Sequence, residues 1–224
     1  LNVVEPQNSG IGGGSFMVHH DAATDRTTGL DGREAAPAAA DPKWFYGADG
    51  KPLPIFTAIP GGRSVGVPGN LRMMALAHQR YGKLPWATLF GPAIRLARDG
   101  FAITPRLHNG LNNFGRHLDP WARAHFLGDD GKALPVGTIL KNPEQAALFS
   151  AIAAKGPDAY YTGAVAQKIV AAVNGAAQNP SKMTLADLAS YRAKERAPIC
   201  GTYRVYKVCG MGPPSAGGIA VLMI

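Results

Sequence analysis

Apolar positions recur at helical spacing through the middle of the chain and at strand spacing towards both ends. Leu71, Met74, Ala75 and His78 fall at i, i+3, i+4 and i+7 behind Pro68-Gly69, which predicts a helix that Gly82 stops. A second helix is expected over residues 86–98, with Leu89, Phe90, Ala93, Ile94 and Ala97 on one face and Asp99-Gly100 at its end. Residues 105–116 predict a third. Asn142-Pro143-Glu144 is a helix start with proline in the first turn, and Ala146, Leu148, Phe149 and Ile152 carry that helix to Gly156. Helices are also expected over 162–175 and 184–191. In the latter, Thr184 and Asp187 have the spacing of a capping box, hydroxyl and acid each satisfying a free amide of the first turn.

Residues 15–20 and 26–31 read as two strands joined by the turn-rich stretch 21–25, so a β-hairpin is the local expectation. Residues 36–68 are rich in proline and glycine, with turn signals at Asp49-Gly50 and Pro60-Gly61-Gly62, and read as a long surface connection of the kind that often carries function. Strand periodicity returns at Ile199 and over 203–208. The run 213–218 then turns the chain into an apolar segment, 219–224. Leu1 to Val4 looks like the end of an apolar helix, so both ends of the chain are expected to stop inside helices and the N-terminus of the protein to lie upstream. Strands near both ends with helices between them predict sheet pairing across a long insertion, and the 224 residues are read as one partial domain of α+β class.

A composition of 46% hydrophobic and 17% charged residues suits a globular chain with a sizeable core. No apolar run approaches the ~18 residues of a membrane-spanning helix, so no membrane span is expected. The excess of 23 basic over 15 acidic side chains is spread singly along the chain, with a mild cluster at Arg192, Lys194, Arg196 and Arg204. Basic residues are not interleaved with aromatics that would stack bases, so no nucleic-acid partner is expected. Two cysteines, Cys200 and Cys209, are too few for a disulfide-built fold. A bridge across a hairpin is open to them, but two small buried thiols is the expectation.

Gly10, Gly12, Gly13 and Gly14 invite a dinucleotide reading, yet a Gly-x-Gly-x-x-Gly frame from Gly10 lands on Ser15, and a strand rather than a helix follows. The glycines are instead expected to let backbone pass close to backbone. His19 and His20 are neighbours on a strand and point to opposite faces, and no metal-binding spacing occurs, so no metal site is expected. His78, His108, His117 and His125 stand apart from any nucleophile and read as structural or exposed. Arg33 is the sharpest candidate. A guanidinium presents paired N–H donors in one plane, matched to both oxygens of a carboxylate. Taken alone, Arg33 reads rather as a solvated arginine, or as one paired with Glu34 or Asp31 to fasten the loop.

The run from Asn2 to Val18, with its Asn8-Ser9-Gly10 and glycine cluster, together with Leu30-Asp31-Gly32-Arg33-Glu34-Ala35-Ala36-Pro37, resembles the γ-glutamyltranspeptidase family. The resemblance continues through 60–69, Leu96-Ala97-Arg98-Asp99-Gly100-Phe101, Gly156-Pro157-Asp158 with Tyr161, 187–191 and Pro213-Pro214-Ser215-Ala216-Gly217-Gly218. It implies the N-terminal nucleophile hydrolase fold, a four-layer αββα sandwich, with this chain as most of a large subunit. It also implies transfer of a γ-glutamyl group from glutathione or its conjugates to water or an amino acid, through a γ-glutamyl-threonine intermediate and without a cofactor. Arg33 matches the arginine that holds the donor's α-carboxylate. The family's nucleophile is the first residue of a small subunit made by self-cleavage, and no matching segment lies in these residues. Thr27 and Thr28 sit well before the cleavage point and read as strand threonines. Ser215 lacks a nucleophile elbow and reads as a turn and helix start. The chain alone is therefore expected to be inactive, its partner being the small subunit and its location periplasmic or secreted. A related cephalosporin or glutaryl acylase and a non-catalytic binding relative are the alternatives.

Overall fold

Strand β2 (Arg26–Gly32) organises the chain in a computed structural model that describes residues 1–115 and 118–224. Its last five residues are buried, and it lies between β1 (Ser15–Asp21) and β5 (Lys194–Arg196) in a three-stranded antiparallel sheet. The hairpin register runs from Ser15 opposite Gly32 to Asp21 opposite Arg26, as the alternation of residues predicts. On the other edge Gly29, Leu30 and Asp31 pair with Arg196, Glu195 and Lys194. The expected pairing across a long insertion is thus present.

Between these strands the chain is helical. Helix α1 (Ile55–Ala58) is a single turn in the long connection; α2 (Asn70–Tyr81) and α3 (Trp86–Asp99) follow the predicted spans closely. The two-residue strands β3 (Phe101–Ala102) and β4 (Ile139–Leu140) pair with each other and enclose α4 (Pro105–Phe114) and α5 (Pro120–Phe126). Both helices start with a side-chain cap followed by proline: Thr104 accepts from the Leu107 amide and Asp119 from the Ala122 amide. The expected end of the third helix at Arg116, and His117, lie outside the described residues.

Helix α6 (Pro143–Lys155) begins at the cap Asn142 and ends at Gly156, whose φ of 77° favours glycine. Then come α7 (Asp158–Tyr161), α8 (Gly163–Asn174) and α9 (Leu185–Ser190). The capping box of α9 is present in both halves, Thr184 accepting from the Asp187 amide and Asp187 from the Thr184 amide. One core joins Leu71, Phe90, Ala97, Phe149, Ile152, Tyr161, Ala166 and Leu188 from α2, α3, α6, α7, α8 and α9. A smaller one, Ile103, Leu107, Leu111, Leu127, Ala133 and Leu140, lies beneath α4.

Three expectations are corrected. Residues 2–4 form a turn, not the end of a helix, with Pro6 close behind. Residues 203–208 are not one strand: β6 (Ile199–Tyr203) and β7 (Tyr206–Gly210) form a hairpin that reverses at Arg204, whose φ is 54°, and the exposed Val205. That hairpin sets Cys200 directly opposite Cys209, their Cα atoms 4.1 Å apart, and the pair is a disulfide rather than two thiols. The predicted helix at the end of the chain is α10 (Gly217–Leu222), packed on this hairpin. Helix and sheet are segregated as in the α+β class, although the described residues contribute one three-stranded sheet and two ribbons, not two complete sheets.

Tyr161 links the core to the sheet end. Its fully buried ring carries a hydroxyl that donates to the Pro68 carbonyl at 2.8 Å and accepts from the Arg72 amide, with the Arg72 guanidinium 4.3 Å from the ring centre. Tyr161→Phe leaves that carbonyl unpaired, and a loss of ~1 to 3 kcal/mol is expected, seen as a lower denaturant midpoint at unchanged slope. Residues 1–224 should contribute no titratable thiol, since their two cysteines are bridged. Reducing the bridge, whose cysteines are nine residues apart, should cost about 2 to 3 kcal/mol in the same unfolding measurement.

Candidate functional site

The turn after β2 is held from several sides. Asp31 is the last but one residue of the strand, and its carboxylate is buried, the side chain only 7% exposed. One oxygen accepts from the Arg33 amide at 2.8 Å and the other from Arg196 Nε at 2.6 Å. Arg33 is thereby fixed at its N–H, and its carbonyl accepts a 2.5 Å bond from the Tyr191 hydroxyl. The chain continues into Ala35, which pairs with Val67 on the connection just before α2.

Glycines make the approach possible. A Cβ on Gly14 would stand 2.7 Å from the Gly32 carbonyl oxygen and 2.5 Å from a Glu34 carboxylate oxygen; one on Gly66 would stand 2.7 Å from Glu34 Cβ. The glycine cluster thus serves close passage of backbone, as its composition suggests. Asn70, at the start of α2, fastens it: the Asn70 amide group donates to the Gly10 carbonyl and accepts from the Ser15 hydroxyl, and the backbone amides of Gly69 and Asn70 both reach the Gly13 carbonyl. No role for these glycines beyond packing is visible.

Arg33 itself is half-exposed, and its Nε lies 3.4 Å from Glu34. Of the two partners open to it in sequence, Glu34 takes the guanidinium and Asp31 takes the backbone amide. Arg33 opens onto a cavity of about 430 Å³ that Arg192, Lys194, Arg196, Tyr191 and Pro214 also line. The basic cluster noted in sequence is therefore split: three members face the cavity, whereas Arg204 sits in the β6–β7 turn over the Tyr203 ring. The sheet register explains why Lys194 and Arg196 share the cavity face. Lys194 and Arg196 alternate with Glu195, which lies on the opposite face and pairs with Arg26 and Arg80.

Two groups at the rim have shifted acidities. Burial, then the negative charges of Asp31 and Glu34, push the Tyr191 phenol up to about 12. Burial disfavours the Asp187 carboxylate, but amide donation from Ala38 and Thr184 and the Thr184 hydroxyl hold it below its ordinary range. Asp187 is thus a cap that ties residue 38 to α9, and not a proton donor. A second cavity, about 300 Å³, lies between the N-terminal turn and α6, next to Trp121 and His125, and contains none of the predicted site residues. His125 has its pKa lowered, chiefly by burial. His19 stacks on Tyr81, and His20 contacts Thr27 on the neighbouring strand, so the two rings separate as expected. Among the described residues no group of histidine, cysteine or acid side chains could hold a metal, and no helix is long and apolar enough to cross a membrane.

The site is thus a half-exposed arginine just past the end of a buried strand, opening onto a cavity that three further cations line. The sequence model of the family described as Gamma-glutamyltranspeptidase matches residues 1–224, and the chain belongs to that family. It is 36% identical over 224 residues to a glutathione hydrolase proenzyme of Bacillus subtilis (strain 168), covering all of this chain and 38% of that protein. The fold is that of the N-terminal nucleophile hydrolases. The structure of Helicobacter pylori γ-glutamyltranspeptidase superposes with a TM-score of 0.92 at 32% identity, covering 99% of this chain and 63% of that one. A cephalosporin acylase from Bacillus halodurans superposes at 0.81 with 29% identity, covering 95% and 40%. The chain thus spans well under half the length of the curated relative it matches.

Arg33 was legible from its motif. Tyr191 and Arg196, which hold it, were not; the available signals were the 187–191 run for the first and the basic cluster for the second. The raised phenol implies a check. Below the ordinary phenol pKa of about 10 the neutral Tyr191 contributes its full stabilisation, which is lost as pH rises towards 12. Burial raises Tyr160 and Tyr161 as well, so alkaline titration of phenolate absorbance should show several late-ionising tyrosines, and Tyr191→Phe should lower their number by one.

Proposed function

We propose that residues 1–224 are the greater part of the large subunit of a γ-glutamyltranspeptidase. The enzyme moves the γ-glutamyl group of glutathione or another γ-glutamyl amide to water or an amino acid. The observation that carries this reading is Arg33, a half-exposed guanidinium whose backbone is clamped at both its N–H and its C=O at the mouth of a cation-lined cavity. A planar donor pair held in that way suits the α-carboxylate of a γ-glutamyl donor, and fixing it in advance avoids an ordering cost on binding.

The chemistry itself falls to groups beyond these residues. A threonine freed by self-cleavage attacks the γ-carbonyl, its own amine taking the proton; the γ-glutamyl ester forms and the amine leaves. Water or an amino acid then attacks the ester and releases the threonine. Donors for the oxyanion and an acid for the α-amino group come from the same small subunit, with which this chain forms a heterodimer after processing of a proenzyme. No resident cofactor takes part. The Cys200–Cys209 disulfide fits export to an oxidising compartment, the periplasm or the cell exterior.

Release of a chromogenic amine from a γ-glutamyl anilide by the complete enzyme, with residues 1–224 alone as an inactive control, tests the assignment. Arg33→Ala should lower kcat/KM for that donor by ~1.5 to 3 kcal/mol, the worth of a hydrogen bond to a charged group, or roughly ten- to 150-fold. An unchanged kcat/KM removes the assigned role. Faster turnover of a glutaryl than of a γ-glutamyl anilide would move the assignment to an acylase.

A further inference from the structure

Asp31 is a buried carboxylate with two partners, and only one of them, Arg196, carries charge. Arg196 reaches it from β5, 165 residues away in sequence, because Gly29 and Asp31 on β2 pair with Arg196 and Lys194. Tyr191 closes the other side of Arg33 from the same return of the chain. Glycine at position 29 lets β5 come this close, since a Cβ there would stand 3.0 Å from the Arg196 carbonyl oxygen.

We propose that Arg196 is a positioning residue for donor binding: through Asp31 it fixes the backbone from which Arg33 presents its guanidinium. The inference rests on Arg33 being the carboxylate anchor. A buried carboxylate stripped of its cation must find another or be rehydrated. Arg33 is the nearest cation along the chain, two residues on, and its guanidinium now lies against Glu34. Without Arg196, Asp31 competes for that guanidinium or turns to solvent and releases the Arg33 amide. Either outcome withdraws the anchor while leaving the remainder of the acyl-transfer machinery in place.

The experiment compares two anilides in the complete enzyme: the γ-glutamyl donor and its 4-aminobutyryl analogue, which lacks the α-carboxylate. The ratio of their kcat/KM values reads the carboxylate contact alone. Arg196→Ala should lower the ratio by roughly tenfold, with the loss falling mainly on the KM of the γ-glutamyl donor. Arg196→Lys, which keeps a charge and a donor for Asp31, should recover most of the ratio. In an Arg33→Ala background, Arg196→Ala should change the ratio no further.

Equal losses on both donors mean a purely structural role and overturn the proposal, as does an unchanged ratio. Additive losses in the double variant mean that Arg196 touches the donor itself, which overturns it too. Arg196→Gln is read in the same way if the alanine variant does not fold. Failure of the underlying assignment is recognised separately, because Arg33→Ala alone would then leave the ratio unchanged.

Discussion

Burying a carboxylate at the end of a central strand is the constraint on which the site depends. Asp31 has little access to water, so its two oxygens must be satisfied by protein, and the two donors that do so come from opposite ends of the chain. The Arg33 amide is local, two residues on. Arg196 is remote, and bringing it in requires β5 to pair along β2 in one register, because a shift of one residue would send Arg196 to the other face and put Glu195 beside Asp31. A single ion pair therefore couples closure of the sheet to the geometry of the turn that carries Arg33.

Packing around that turn reinforces it. Gly14, Gly32, Gly66 and Gly69 remove side chains where α2, the glycine cluster and the Glu34 loop converge, so several backbones approach within a distance that any Cβ would forbid. Tyr161 and Tyr191, whose rings stack 6.4 Å apart, carry the contact from the helical core to the Arg33 carbonyl. The Arg33 side chain is exposed, but its backbone is bonded at both its N–H and its carbonyl.

This division of labour suits the proposed role, in which the chain supplies binding and the reacting groups come from elsewhere. The cavity is cationic through Arg33, Arg192, Lys194 and Arg196, while Asp31, Glu34 and Asp187 are each engaged in pairing or capping. The proposed preference for an anionic end group would thus meet no free acid among these lining residues. Arg192 has its own duty, donating to the Ala189 and Tyr191 carbonyls at the end of α9 and so steadying the segment that positions the Tyr191 hydroxyl.

Local features were legible in the sequence because their causes are local. The first hairpin, helices α2, α3, α6, α8 and α9, the starts of α6 and α9 at their capping residues, and Arg33 in its motif all follow from periodicity, start and stop residues, or a short run of matching residues. Strands β3 and β4 are too short for any period, and β5 is the charged trio Lys194-Glu195-Arg196, which by itself reads as solvent-facing chain. It becomes a strand only because β2 has a free edge. The Cys200–Cys209 bond likewise follows from a hairpin turn at Arg204 that the apolar Val205 obscured. The sequence by itself determined most of the elements and singled out Arg33; the tertiary structure alone decided what holds that residue, since the partners of Asp31 and Arg33 are brought together by sheet pairing over more than 150 residues.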